Sequence, residues 1–388
     1  MEFEFWWLLV FPLFFILGWL AARVDIRQVV TESRALPNSY FRGLNFLLNE
    51  QPDKAIEAFL EVVKLEPETI DLHFALGGLF RRRGELDRAI RMHENLLNRE
   101  DLAEDSRLRA MNELGQDYLK AGLLDRAESV FTRLLETPLQ AQARSFLLEI
   151  FVQEKDWQKA IDAARILESN TSRPLNAEIA HFHCELALQE ATRGNPDEAS
   201  RLLETALQAN RQSVRANLMA GDLDSAAGRH EAAIADWKLV EAQSASHMAL
   251  VVDRVLSSYR LLGRLGDGVQ WLRALYARQP SQDLFSTLYL AVSETEGAAA
   301  AYQLAREELR RNPCLRTLDR MLEAELMNAP PEQRELLQVE KSLVQVHSQR
   351  LMRYQCGSCG FKAKQFFWRC PACGRWDSFD PERRECEA

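Results

Sequence analysis

The chain has 388 residues, with 48 Lys and Arg against 57 Asp and Glu and a formal charge of -9. That acidic balance excludes a general nucleic-acid binder, which needs a broad basic surface. Hydrophobic residues make up 47% and Gly and Pro number only 17 and 13, so a folded chain rich in helix-favouring Ala, Leu, Glu and Arg is expected.

Residues 5–22 carry no charge and include Trp6, Trp7, Leu8, Leu9, Phe14, Phe15, Ile16 and Trp19. At ~1.5 Å per residue, such a helix spans about 27 Å, close to the hydrocarbon thickness of a bilayer. Pro12 is tolerable in a membrane helix, and the tryptophans stand near the two ends, where interfacial rings sit. A cleaved signal peptide is the rival reading. It requires a basic start and a small-x-small cleavage site, whereas Glu2 and Glu4 precede the run and no such site precedes Arg23. The expectation is a transmembrane helix over residues 1–22 and a juxtamembrane linker over 23–35. Arg23, Arg27 and Arg34 follow the run and no Lys or Arg precedes it, so the N-terminus is expected outside and the rest in the cytoplasm.

Between residues 36 and 313 one pattern returns: a small residue, an Ala twelve positions on, and a bulky residue four further. Gly43–Ala55–Phe59, Gly77–Ala89–His93, Gly115–Ala127–Phe131 and Gly221–Ala233–Trp237 share this spacing. Weaker copies centre on Ala160, Ala199, Gly268 and Ala300, and the eight anchors lie 34, 38, 33, 39, 34, 35 and 32 residues apart. A period near 34 resembles the tetratricopeptide repeat, a helical hairpin stacked into a solenoid; an ordinary helical bundle does not return to one register eight times. Loops such as Arg83–Asp87, Ala121–Asp125 and Gly194–Asp197 place Gly near Asp87, Asp125 and Asp197, which are expected to cap the second helix. Pro67, Pro138, Pro280 and Pro313 fall near repeat ends, where a helix must stop. In the repeat family, inward positions of the first helices fall on Asp71 and Arg82, then on Arg109, Asn112, Gln116 and Lys120. These are candidate partner contacts, set against the plainer reading of solvated polar residues. Residues 314–352 are expected to form terminal helices.

The end of the chain carries the chemistry. Residues 354–376 read YQCGSCGFKAKQFFWRCPACGRW. Cys356, Cys359, Cys370 and Cys373 form two C-x-x-C pairs separated by ten residues, which brings four thiolates onto one ion, either zinc or a single rubredoxin-type iron. Gly360 and Gly374 follow each pair, where a positive φ lets backbone amides face the sulfurs. Two local disulfides do not suit the reducing side of a membrane, and a thioredoxin-like site needs one C-x-x-C in an α/β fold. So small a module lacks a core of its own, and the metal is therefore structural. The ribbon spans residues 353–380 and a tail follows over 381–388. Tyr354, Phe361, Phe366, Phe367, Trp368 and Trp376 exceed the needs of its core, and some are expected to pack against the last repeats. Arg353, Lys362, Lys364, Arg369 and Arg375 suit anionic headgroups or an acidic partner, or else merely offset thiolate charge. Cys184 and Cys314 read as buried small hydrophobes. His181 and His183 are two apart on a helix and point differently, and no nucleophile-and-base motif occurs. No enzyme is expected.

Taken together, the apolar start, the repeats and the YxCxxCGF…WxCPxCxxW ending resemble the lipopolysaccharide assembly protein B family (LapB or YciM) of Gram-negative bacteria. The resemblance extends through NFLLNEQPDKAIEAF, LGGLFRRRGELDRAIRMH, LGQDYLKAGLLDRAE and EIAHFHCELALQ. It implies an all-α fold with a transmembrane helix, a TPR-type solenoid and a rubredoxin-like or zinc-ribbon domain whose ligands are Cys356, Cys359, Cys370 and Cys373. It further implies a single-pass adaptor of the inner membrane, contacting lipid through its helix. Such an adaptor promotes degradation of LpxC, the lipid A deacetylase, by the protease FtsH, and meets lipopolysaccharide-assembly and regulatory membrane proteins. Two other functions compete: a rubredoxin-like redox protein, and a general co-chaperone or assembly scaffold without proteolytic coupling.

Overall fold

The computed structural model describes residues 38–49, 51–65, 70–170, 174–351 and 353–383. The expected transmembrane helix, the linker, Pro67 and Cys386 lie outside them. Among the described residues, no helix is long and apolar enough to cross a membrane. These residues form eighteen α-helices in which first and second helices of the hairpins alternate: α1 Asn38–Leu48, α2 Pro52–Leu65, α3 Ile70–Arg83, α4 Leu86–Leu97, α5 Glu104–Lys120, α6 Leu124–Arg133, α7 Gln140–Glu154, α8 Trp157–Asn170, α9 Asn176–Arg193, α10 Pro196–Ala209, α11 Val214–Ala226, α12 His230–Gln243, α13 Val252–Leu261, α14 Leu265–Arg278, α15 Gln282–Glu296, α16 Ala298–Arg311, α17 Leu315–Asn328 and α18 Pro331–Leu351. A two-stranded antiparallel sheet, β1 Tyr354–Gln355 and β2 Lys362–Ala363, pairs Tyr354 with Ala363 and Gln355 with Lys362. The chain divides into two compact units, one up to Ile150 and one from Phe151.

The repeat pattern becomes packing. Every second helix from α2 to α16 begins three residues before its anchor, and Ala55, Ala89, Ala127, Ala160, Ala199 and Ala233 are all fully buried. The bulky residue sixteen positions after each repeat glycine lies directly over it. A β-carbon added at Gly115 would sit 2.7 Å from Phe131 Cζ, and one at Gly221 would sit 2.5 Å from Trp237 Nε1. The glycines are therefore there to admit a ring, and a side chain of any size would collide with it. The eighth anchor corrects the sequence reading by one residue: Ala300 is half-buried, and Ala301 fills the anchor position three residues into α16. In that hairpin the sizes are exchanged, because Tyr289 on α15 stands in the glycine place and Ala305 in the bulky one, both buried in one cluster with Phe285, Ala301 and Ala324. Summed volume is kept, which is what a packed layer requires.

The loop reading is also corrected. Asp87, Asp125 and Asp197 lie inside the first turn of their helices, and the capping positions are Glu85, Leu123 and Asn195, none with a side-chain cap bond. The aspartates act instead on the positive end of the helix dipole, while Gly84, at φ +78°, lets the chain leave α3. Cys314 is not a buried hydrophobe. It caps α17, its sulfur accepting from the Thr317 amide at 3.4 Å.

Within the first unit, His93 over Gly77 belongs to a buried ionic cluster. Its Nδ1 lies 2.5 Å from Asp117 Oδ2, and Arg81 donates to Asp117 Oδ1 at 2.8 Å and to Glu113 Oε2 at 2.5 Å. Asp117 and His93 are fully buried, so each depends on the other for its missing water.

Candidate metal centre and the helical face that holds it

The sulfurs of Cys356, Cys359, Cys370 and Cys373 all lie within 4.8 Å of one another. Cys356 and Cys373 are 3.8 Å apart, Cys359 and Cys370 3.7 Å. The edge of a tetrahedron around an ion with ~2.3 Å metal–sulfur bonds is about 3.8 Å, so the donor set fits one tetrahedral metal. The local chain explains the convergence. Gly360 and Gly374 hold φ of +75° and +70°, turning each knuckle so that its amides face sulfur. The bond with Ser378 and the amides of Cys359 and Ser358 bring Cys356 down to about 6, and the Arg375 amide lowers Cys373. The Phe361 amide also favours the thiolate of Cys359, yet desolvation and the three neighbouring sulfurs push that thiol up to about 12. Four thiolates at this spacing repel one another, and a divalent cation is what lets all four ionise together.

Cys356 and Cys370 are buried, Cys359 and Cys373 exposed. Phe379 closes the inner side with Tyr354, Ala363, Phe366 and Phe367. Phe361 faces outward, 39% exposed. Of the basic residues, Lys362, Lys364 and Arg375 are exposed. Arg369 turns inward, its Nε donating to Gly374 O at 3.1 Å and its Nη1 reaching Val152 O at 3.5 Å.

The ribbon was expected against the last repeats; it does reach α15 there, and the structure seats it as well on α9, on α11 and on the residues before α13. Trp376 stacks on His181 of α9 at 4.6 Å between centroids, with Trp157 and Phe182 at 6.4 and 6.1 Å. Trp368 stacks on His247, which precedes α13, at 5.7 Å and 4°. Between the two indoles the Arg215 guanidinium of α11 lies 6.0 and 5.8 Å from their rings and donates to Glu185 at 2.8 Å. Asp377 Oδ2 lies 2.7 Å from His181 Nε2. A latch completes the seat: Arg383 donates to Asp283 of α15 from its backbone N at 3.0 Å and from Nε at 3.0 Å, while Arg316 donates to the same carboxylate at 2.7 Å. Burial alone would raise Asp283, but Arg316 and Arg383 hold it below the usual carboxylate range. Stacked aromatic pairs contribute about 0.5–1.5 kcal/mol each beyond their area, so the seat is specific as well as apolar. His181, Arg215, His247 and Asp283 were not singled out from sequence as the ribbon's receivers. The available signal was polar residues recurring on otherwise apolar first helices.

Of the residues expected to face a partner, three meet in the first unit. Arg109 pairs with Asp71 at 3.2 Å and lies 4.2 Å over the Phe74 ring. Asn112, one turn on, is 6% exposed, and its Oδ1 has no hydrogen-bond partner. Gln116 is half-buried, and Arg82 and Lys120 are exposed towards the ends of α3 and α5; neither joins that group.

Comparison with known proteins agrees with this anatomy. The tetratricopeptide repeat family matches residues 42–95, 112–174 and 184–249, and the rubredoxin metal binding domain matches residues 354–381. Lipopolysaccharide assembly protein B of Escherichia coli K12 is 34% identical over 378 residues, 97% of each chain. The protein of that name from Haemophilus influenzae is 28% identical over 384 residues, covering 96% of this chain and 97% of its own. Among solved structures, the Naa15/Naa10 complex bound to HypK is 15% identical with a TM-score of 0.39, covering 81% of this chain and 51% of that one, and adds nothing to the assignment. End-to-end identity, the repeats and the four-cysteine ribbon together make this chain a member of the lipopolysaccharide assembly protein B family.

Proposed function

We propose that the protein is a non-catalytic adaptor of lipopolysaccharide assembly. Residues 5–22 hold it in the inner membrane with the N-terminus in the periplasm, and its cytoplasmic hairpins present LpxC to FtsH. The observation that carries this reading is the end-to-end match to lipopolysaccharide assembly protein B of a chain made of repeat hairpins and a metal ribbon. The hairpins supply surface for proteins, and the ribbon's metal supports the fold. Two His–carboxylate pairs, His93–Asp117 and His181–Asp377, lie against Gly77 and the Trp376 ring. Such surroundings favour a structural role for both.

A tether raises the effective concentration of an adaptor beside a membrane protease without any new contact. Modest affinity for a soluble enzyme is then enough. Deleting residues 1–22 should leave a folded protein that no longer lowers LpxC levels in cells. Normal LpxC turnover with that truncation defeats the tether. Co-purification with a proteolytically inactive FtsH separates the adaptor from a general scaffold, because only an adaptor holds LpxC and protease together.

A further inference from the structure

The last helix of the array, α18, is apolar on two opposite sides. Leu337, Val344 and the buried Ser348 share the side that packs on α17, where Lys341 also reaches Glu323 at 3.5 Å. The other side carries Leu336, Val339, Leu343 and Val346, which are 65%, 54%, 60% and 49% exposed. Their spacing of three, four and three residues is the a and d pattern of a coiled coil, a narrow seam that fits one further helix. The positions that flank it are Glu335, Glu340, Ser342 and His347, none of them Lys or Arg. A helix that lies on lipid needs a broader apolar face bordered by Lys and Arg. Terminal units of a solenoid turn a polar face outward, so an apolar stripe on the last helix marks an interface.

We propose that the stripe is covered by α18 of a second copy of this chain, lying antiparallel. The stripe is complementary to itself in that arrangement. Turned end for end, Leu336 meets Val346 of the second copy and Val339 meets its Leu343, giving four layers that each hold one Leu and one Val. A parallel pair would stack Leu on Leu and Val on Val, and Leu at a with a β-branched residue at d does not suit two parallel strands. The two-fold axis passes near the middle of the helix and brings Glu340 beside Glu340 of the second copy on one flank. α18 has 21 residues, about 32 Å or three heptads, and Met327 of α17, 56% exposed, borders the same groove as Glu335. A stable dimer buries about 800 Å² on each partner. Chains anchored in one membrane, as proposed above, need less, because confinement raises their effective concentration.

The test is photocrosslinking of the full-length protein in native membranes, with p-benzoylphenylalanine at position 339 and two differently tagged copies in one cell. A product of twice the chain mass that carries both tags is expected. Trypsin cuts after Lys341, so the register can be read directly: the link should fall on peptide 342–350 of the second copy, which holds Leu343. Leu343→Glu should abolish the product, since it places a charge in two of the four layers; the position is exposed, so the fold is kept. Glu340→Lys in one tagged copy alone should raise the yield of the mixed product about two-fold, because an opposite-charge contact replaces a like-charge one. Links to peptide 335–341 of the second copy, links to lipid or to another protein alone, or a product untouched by Leu343→Glu, overturn the proposal.

Discussion

Gly77 and Gly78 are neighbours in α3, and the packing assigns opposite signs to the same substitution at each. A β-carbon at Gly78 meets nothing within 4 Å, while one at Gly77 falls closer than 3.0 Å to Cε1 and Nε2 of His93. Alanine in a helix is favoured over glycine by about 0.8–1.0 kcal/mol, so Gly78→Ala should stabilise by nearly that amount. At Gly77 the same gain is set against overpacking of about 1–3 kcal/mol. The imidazole has no easy retreat: it is fully buried and its Nδ1 lies 2.5 Å from Asp117. Moving it strands a buried carboxylate hydrogen bond, which adds about 1.5–3 kcal/mol. Gly77→Ala should therefore destabilise by about 2–4 kcal/mol. Because the chain has two compact units, a global melting point mixes two transitions. The cleaner assay is amide hydrogen exchange of α3 to α5, with urea unfolding of the same samples. A Gly77→Ala protein as stable as wild type, or more so, refutes the ring-over-glycine account of the repeat.

The remaining predictions concern the second unit. Removing the metal with a chelator and a thiol reagent should abolish exchange protection over residues 354–379 and shift Trp368 and Trp376 emission to the red, with the far-UV helical signal kept. Asp283→Ala should destabilise by about 3–5 kcal/mol, because it leaves Arg316 and Arg383 beside each other without their carboxylate; faster tryptic cleavage after Arg383 is the readout. Acid should act in the same direction. Burial lowers His183 and His247 from their ordinary 6.5, so the stability they contribute is complete above that pH and is lost as pH falls through their folded values. Asp283, held below its ordinary 3.8, contributes stability that is present above that value and lost only at still lower pH. Urea midpoints measured from pH 8 to 2 should thus fall in two stages, and a midpoint that rises on acidification contradicts both assignments.

How far the sequence carried depends on the distance between cooperating residues. The ligands were legible because Cys356, Cys359, Cys370 and Cys373 act within eighteen residues of chain, and two knuckles at that spacing have one chemical use. The repeat was legible for a similar reason: a glycine and the ring above it are always sixteen apart. Reading failed where packing allows an exchange. Tyr289 and Ala305 swap the large and small places, so the search for a small residue first settled on Ala300, one position early. It failed again at the helix starts, where an aspartate near a glycine suggests a cap, although the residue two places earlier holds that position. The ribbon's half of the seat was legible as aromatics in excess of its own core, but the receiving residues were not, because His181 and Asp377 are 196 residues apart and both are ordinary surface residues by type.

The seat bears on how an adaptor of this kind is used. In the second unit, the residues that would otherwise greet a partner are engaged by the chain itself: His181 under Trp376, His247 under Trp368, Arg215 between the indoles and Asp283 around Arg383. A ligand already tethered to its receptor has a large advantage over a free one, so a partner competing for this face must displace a metal-braced module. Binding elsewhere carries no such penalty. A partner of the second unit is therefore expected on surface that the ribbon leaves uncovered.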